Sequence, residues 1–478
     1  MEHRNPYRNL SPLDHRYWNA NKALFEQLSD TLSEQAVIKY LVRAEAALLK
    51  IHIERHIGAD SALLKEVDGL EEVITPQEVF EEEQVTHHNI RALVHVIQRH
   101  LPAKLAPWVH LGATSADILD TAAAMRIRDA MNSTILPLIL DLLDILTALG
   151  DKYAALTQIG RTHGQAAVPI TFGFAMAEYA ARIGQSAQLL KELSCGLRGK
   201  LSGAVGAYNA MSLIAENPLE LEQAFLESLG LQPAEYSNQI VEPEHLLRLL
   251  LELNVCFGII ANLADDLRHL QRTEIAEVGE LFGEGQVGSS TMPHKRNPWN
   301  SEHVKSLWKV FSPRVITFYM DQISEHQRDL SNSASSRFVA DYLAGFSAAA
   351  ARMKTILASL GVDEERMKAN LISFGGSLLA EPSYIILALS GHSDAHENLR
   401  RATLEAHAGG TTLKEVLRKD TEVWSILDRY LNLHLGMDAD AFYSSPAAYI
   451  GMAEKKTRLI TAKYQKISQA LRKSVGGE

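Results

Sequence analysis

An all-α fold built from several domains is predicted by three observations. Apolar residues recur at the helical period along most of the chain, and alternating Val/Ile/Thr runs are scarce. Five helix-length segments follow one another in the middle of the sequence, several longer than the roughly 11-residue mean of globular helices. At 478 residues the chain is long for one compact core, so two or three domains are expected.

The elements follow in order. Residues 20–55 read as helix, with Leu24, Leu28, Leu32, Ile38, Leu41 and Leu48 near helical spacing. The Leu/Ile/Ala-rich stretch 116–149 reads as helix, kinked or restarted at Pro137, where the ring removes a backbone donor. Further helices are predicted at 172–198, 243–273, 300–325 and 335–359. Their Ala and Leu content suits close packing in an elongated bundle. Beyond about 362, Gly375-Gly376, Gly391 and Gly409-Gly410 break the chain into shorter helices. Boundaries near 110 and 360 give three parts: 1–110, a central 111–360, and 361–478. Some central helices are apolar on more than one face. That pattern fits homo-oligomerisation through the bundle, and equally the central helices of a monomer.

Bulk properties narrow the function classes. The net charge of −11 leaves no global basic field, which argues against a nucleic-acid or anionic-membrane partner. No apolar run approaches the roughly 20 residues of a membrane span; Val255 to Ala261 is among the longest. Residues 1–10 are polar and unlike a signal peptide, so a cytoplasmic location is expected. Cys195 and Cys256 lie in apolar helical patterns and are expected to be buried, reduced thiols.

Chemistry concentrates in Gly288-Ser-Ser-Thr-Met-Pro-His-Lys-Arg-Asn-Pro298. A Gly/Ser stretch by itself is usually a polar surface loop. This one ends on a cation, Lys295, held between Pro293 and Pro298, and such a loop can close over a small anion and exclude water. His163, in Gly160-Arg-Thr-His-Gly-Gln165, titrates near neutral pH and suits proton transfer to an amine. The Thr114-Ser115 hydroxyls fit a helix N-cap, and a helix N-terminus also attracts anions. The His87-His88 pair lacks Cys or carboxylate partners at ligand spacing, so no metal is expected. Gly283-Glu-Gly-Gln-Val-Gly288 fits a dinucleotide fingerprint in letters only, because neither a preceding strand nor a βαβ unit accompanies it.

The 288–298 stretch resembles the signature loop of the fumarase/aspartase superfamily, whose members eliminate an amine or hydroxyl from a succinyl group and release fumarate. The fill-in residues His294-Lys295-Arg296 resemble adenylosuccinate lyases and the related carboxymuconate cycloisomerases. His163, with Pro169-Ile-Thr-Phe-Gly173, is similar to the former; the cycloisomerase group has Trp at that place. The resemblance implies roles residue by residue. Ser289 would be the base, with Ser290 the fallback, and His163 the proton donor. Lys295 and Asn297 would stabilise the carbanion carboxylate. Arg16 and Tyr17 would contact a nucleotide phosphate. His87, His88 and Asn89 form the first histidine region, in which the family usually has Asp where this chain has Asn89. Thr114 and Ser115 would bind a substrate carboxylate, Gln239 another part of the substrate, and Arg328, Ser333 and Arg337 the nucleotide end. At 303 this chain has histidine where some relatives have arginine. The resemblance also implies an all-α, three-domain fold with a five-helix bundle, a homotetramer with active sites shared between subunits, and no metal or organic cofactor. The rival readings are a carbon–nitrogen lyase of the same fold acting on a non-purine succinyl amine, and an inactive helical scaffold.

Overall fold

The computed structural model describes residues 5–58, 61–280, 291–292 and 294–475. Helices dominate. The predicted 20–55 helix is two, Lys22–Leu32 and Glu34–His52. Ser33 divides them because its hydroxyl accepts from Ala36 N at 3.2 Å and caps the second. After the helices Pro76–Thr86 and Asn89–Arg99 comes the core of the molecule: α1 (Ser115–Ala130), α2 (Leu136–Lys152), the strands β1 (Thr157–Thr162) and β2 (Gln165–Thr171), α3 (Phe172–Cys195), α4 (Glu244–Leu270), α5 (Trp299–Phe311) and α6 (Val339–Ala358). Pro137 sits in the first turn of α2, directly after a π-turn at Met131–Ile135, so the helix restarts there rather than breaking.

Helices α2 to α6 form the bundle. α3 packs on α2 and α4, α5 on α4 and α6, and α6 returns to α2. Their facing sides are Leu, Ile, Ala and Phe, and one continuous apolar cluster joins them to the N-terminal helices. Gly173 permits the tightest approach. A Cβ there would lie 2.4 Å from Gly150 O and 2.6 Å from Tyr153 C, both backbone, so α2 and α3 touch where only hydrogen fits.

Beyond α6, the helix α7 (Glu364–Phe374) leads into residues 379–449, which enclose a second apolar cluster around Leu387, Leu427 and Phe442. The last helix, α8 (Ala453–Val475), is longer than the short helices expected in this region, and it packs on α2 and α3. Its buried face carries Thr457, Thr461, Tyr464 and Ser468. Those polar letters hide a helical stripe from an apolar-period reading. The predicted 300–325 helix ends at Phe311, continues through a turn at Ser312-Pro313-Arg314 and a short helix Val315–Met320, and stops there.

Three observations refine or correct the sequence reading, with the all-α class unchanged. Small sheets exist: β1 pairs with β2, Arg198-Gly199 with Gln232-Pro233, and Val278–Glu280 with Leu360–Val362. Cys256 is buried, but Cys195 is exposed, because it closes α3 at the surface. Finally, Ser115–Lys152, Glu244–Leu270 and Glu364–Leu389 are long and apolar enough, by length and composition, to cross a membrane. In the first two, 61% and 56% of the most apolar window is buried inside the protein, so core packing accounts for much of that apolarity.

Candidate active site

The candidate site residues, Ser289 apart, stand in four places. The first is the N-terminus of α1. Thr114 is the capping residue and Ser115 the first helical one, as their hydroxyls suggested. Asp117, fully buried, accepts from Thr114 N at 2.8 Å. Its other oxygen accepts from Ser202 N and Gly203 N, both at 3.2 Å, and from the ammonium of buried Lys200. Lys200 also donates to Gly203 O at 3.1 Å. A buried ion pair is tolerated only when its remaining bonds are satisfied this fully. The hub locks the Thr114-Ser115 cap to the 200–203 segment. From there the chain reaches a tight turn at Ser237–Val241 through the Ser202–Ser237 hydroxyl pair at 2.6 Å.

That turn carries Gln239, half-buried, whose N–H donates to Gln327 O at 3.2 Å. Arg328 follows, with φ at +112°. Its Nη1 donates to Asp321 O at 3.0 Å, while its Nε and Nη2 are buried and meet no hydrogen-bond partner among the described residues. Two such donors are costly unless a ligand oxygen takes them. Ser333 and Arg337 are exposed a little further along the same segment. Asp321 holds that segment in shape by accepting from Ser335 Oγ at 2.8 and 2.7 Å. Thr114, Ser115, Gln239 and Arg328 thus belong to one connected wall.

The second place pairs Tyr17 with His303: hydroxyl to Nε2 is 3.0 Å and the rings stack at 5.7 Å. Burial, and then the charges of Arg352 and Arg16, hold His303 below its ordinary pKa. Arg16 is exposed beside it. A neutral imidazole flanked by two guanidinium groups is a setting for a small anion. His303 lies on α5, whose start is fixed by Glu280: its carboxylate accepts from Asn300 N at 3.2 Å and Ser301 N at 2.8 Å. Gln271 ties Glu280 N, at 3.0 Å, to Arg296 O, at 3.2 Å. The two flanks of the 288–298 loop are therefore clamped together. Lys295 is exposed and Asn297 half-buried on the second flank; Ser289 and Ser290 lie outside the described residues.

The third place is the tip of the β1–β2 hairpin. Thr162 pairs with Gln165, and His163 and Gly164 occupy the turn at φ +56° and +73°, the left-handed pair that a two-residue hairpin turn demands. His163 is exposed. The hairpin's foot is anchored by buried Glu277, which accepts from Arg161 at 2.6 and 3.0 Å, from Gln158 at 2.8 Å and from Asn370 at 2.9 Å. The fourth place is the junction of helices Pro76–Thr86 and Asn89–Arg99. His87 closes the first helix at φ +50°, and His88 caps the second, Nδ1 accepting from Arg91 N at 3.2 Å. The His88 ring is thus oriented by its own helix. Asn89 turns its oxygen to Ile90 N at 2.8 Å instead of to a histidine.

Sequence reasoning missed Asp117, Lys200, Glu277, Glu280 and Gln271. The first four are buried charged residues, and a charge in a polar-looking segment gives no sign of burial. Lys200 alone left a signal, between apolar Leu197 and Leu201.

Elimination needs a base, a cationic or amide cradle for the carbanion, and an acid. The chain offers candidates for the last two on separate rigid supports. A family model described as lyase matches residues 15–310. Solved structures agree: the 3-carboxy-cis,cis-muconate lactonizing enzyme from Pseudomonas putida superposes with TM-score 0.79 at 25% identity, covering 94% of this chain and 99% of that one. The fumarate lyase from Mesorhizobium sp. BNC1 shares the fold, with TM-score 0.78 at 22% identity over 91% and 97%. Fold and site define a helical lyase of the fumarase/aspartase kind. The model described as adenylosuccinate lyase C-terminal matches residues 324–434. The adenylosuccinate lyase of Pyrococcus abyssi is 34% identical over 93% of this chain and 96% of its own, and that of Aquifex aeolicus 35% identical over 73% and 79%. The chain belongs to the adenylosuccinate lyase family.

Proposed function

We propose that the protein cleaves succinylated purine nucleotides with release of fumarate: adenylosuccinate to AMP, and the corresponding succinylated aminoimidazole carboxamide ribotide. The observation that carries this reading is near-full-length similarity to lyases named for adenylosuccinate. In the proposed reaction Ser289 takes the proton next to the substrate carboxylate, with its alkoxide stabilised as the loop closes. Lys295 and Asn297 stabilise the carbanion carboxylate, and Thr114 and Ser115 hold a carboxylate at the positive end of α1. His163 protonates the leaving nitrogen. Arg16 and Tyr17, now with His303, serve the phosphate; Gln239, Arg328, Ser333 and Arg337 serve the nucleotide. The substrate's own carboxylate delocalises the charge, so the scheme uses neither metal nor organic cofactor.

We further propose a cytoplasmic homotetramer in three parts (1–110, 111–360 and 361–478), with no nucleic-acid or membrane partner. Large apolar side chains left exposed on the central helices support the assembly: Leu189, Leu251, Val255, Val310, Ile316 and Tyr319. The test is fumarate release by the purified protein with adenylosuccinate and argininosuccinate offered separately. Turnover of adenylosuccinate alone is expected. Release from neither would move the search to other succinyl amines.

A further inference from the structure

α1 presents two carboxylates one turn apart, and they serve different parts of the site. Asp117 holds the 200–203 segment. Asp120 turns to the Gln239 turn instead: its Oδ2 accepts from Val241 N at 2.8 Å. Asp117 is met directly by the Lys200 ammonium, whereas Asp120 makes no ion pair among the described residues. The groups that face it come from several elements. Lys200 and Arg328 act on it as distant cations and Asp117 as an anion. Arg198, Glu242, His245 and Asp321 line the same cavity of about 150 Å³.

We propose that Asp120 is a positioning residue for substrate binding, its carboxylate fixing the Gln239 turn and the Arg328 guanidinium in one register. The proposal rests on the reading above, in which Gln239 and Arg328 meet the nucleotide. The turn and the Arg328 segment are already bonded to each other, Gln239 N to Gln327 O. Asp120 grips the turn through Val241, and the turn's Gln239–Gln327 bond carries that hold to the residue before Arg328; its charge adds a weak, distant pull on the guanidinium. A neutral carboxyl would be a poorer acceptor and would lose the pull on Arg328. Burial raises the Asp120 pKa to about 6, the Val241 N–H and the two cations only partly opposing it. The grip is therefore present above about pH 6 and weakens as the pH falls through that value.

Asp120→Asn keeps the shape and an acceptor for Val241 but removes charge and titration. The KM for adenylosuccinate, measured from about pH 5.5 to 8, should be raised about tenfold at neutral pH with a smaller effect on kcat. The variant should keep only the acid limb contributed by the substrate's own phosphate, whose second pKa is about 6. Asp120→Glu, whose extra methylene the cavity can take, should recover a lowered KM and a shifted acid limb. It also serves if the asparagine variant does not fold. A KM and acid limb in both variants indistinguishable from the parent would overturn the proposal. So would a fall in thermal stability with kcat and KM affected alike. Arg328→Ala is the control on the underlying reading: an unchanged KM there means that Arg328 is misplaced at the nucleotide, whatever Asp120 does.

Discussion

Glu45 and His110 show how a single pair can hold a site loop and tie it to pH. His110 Nδ1 lies 2.6 Å from Glu45 Oε1, and the Glu45 side chain is fully buried. Beside it, His52 Nε2 lies 3.1 Å from Leu111 O, and burial keeps His52 below its ordinary pKa. A neutral His52 can donate that bond. Helix Glu34–His52 thus grips residues 110 and 111, three residues before Thr114. Burial alone would depress His110, but the Glu45 hydrogen bond and charge outweigh it and leave the pKa raised. A histidine raised in the folded state binds a proton that the unfolded chain has released. Its contribution to stability is complete below the unfolded value of about 6.5 and is lost as pH rises through the folded value. Thermal unfolding of the parent and of Glu45→Gln should therefore diverge most below about pH 6.5 and draw together as the pH rises above it. A gap that widens with pH would show that His110 is not charged in the native protein.

At the scale of elements, the candidate site depends on turns at left-handed positions, one of which has no room for any residue but glycine. Gly206, at φ +77°, faces the Gln239 turn so closely that a Cβ would fall 1.9 Å from Ser237 O. That atom is backbone, so the turn itself must move. Gly203, at φ +80°, has open space around its Cβ position. Gly206→Ala should lower kcat/KM by about a hundredfold, the scale of a one-ångström misplacement. Gly203→Ala should cost only the left-handed strain, roughly 1–2 kcal/mol of stability. Fumarate release and melting curves on both variants check this, and equal activities would refute it. The same turns mark what could be read in advance. Helices α3 and α4 lie within about three residues of their predicted ends, because long apolar stripes leave an unambiguous period. The hairpin under His163 did not register as strands. Its signal was present in Thr157, Ile159 and Arg161 before the turn and Ala166, Val168 and Ile170 after it, around a His-Gly turn. Gly160 and Pro169 interrupt the alternation, and the register shifts between Ile159 and Arg161. The motif residues were legible as letters. The buried acids that aim them were not, since burial is a property of the packed elements and not of the local sequence.

Across the whole molecule, the places described above have separate supports. His163 rides on a hairpin packed against α7 and residues 375–379, while Arg328 stands with Gln239 and the start of α1. One substrate cannot take a proton on its leaving nitrogen from His163 and also hold Arg328 unless the two meet, and the proposed subunit assembly would let separate supports converge. The shared-site reading makes a quantitative claim. Let His163→Ala lower kcat to near zero and Arg328→Ala raise KM so far that it turns over little at a substrate level near the parent's KM, and let the two be co-expressed in equal amounts and assayed at that level. If every site takes His163 from one subunit and Arg328 from another, random assembly leaves about a quarter of the sites with both side chains intact. Activity should then return to about a quarter of the parent's. If both residues of a site came from one chain, no mixture could build an intact site and activity would stay at the level of the variants. Native mass measurement must show mixed tetramers in the same sample. A mixed tetramer without recovered turnover would place the whole site in one subunit, and a protein that runs as a monomer with full activity would remove the assembly from the mechanism.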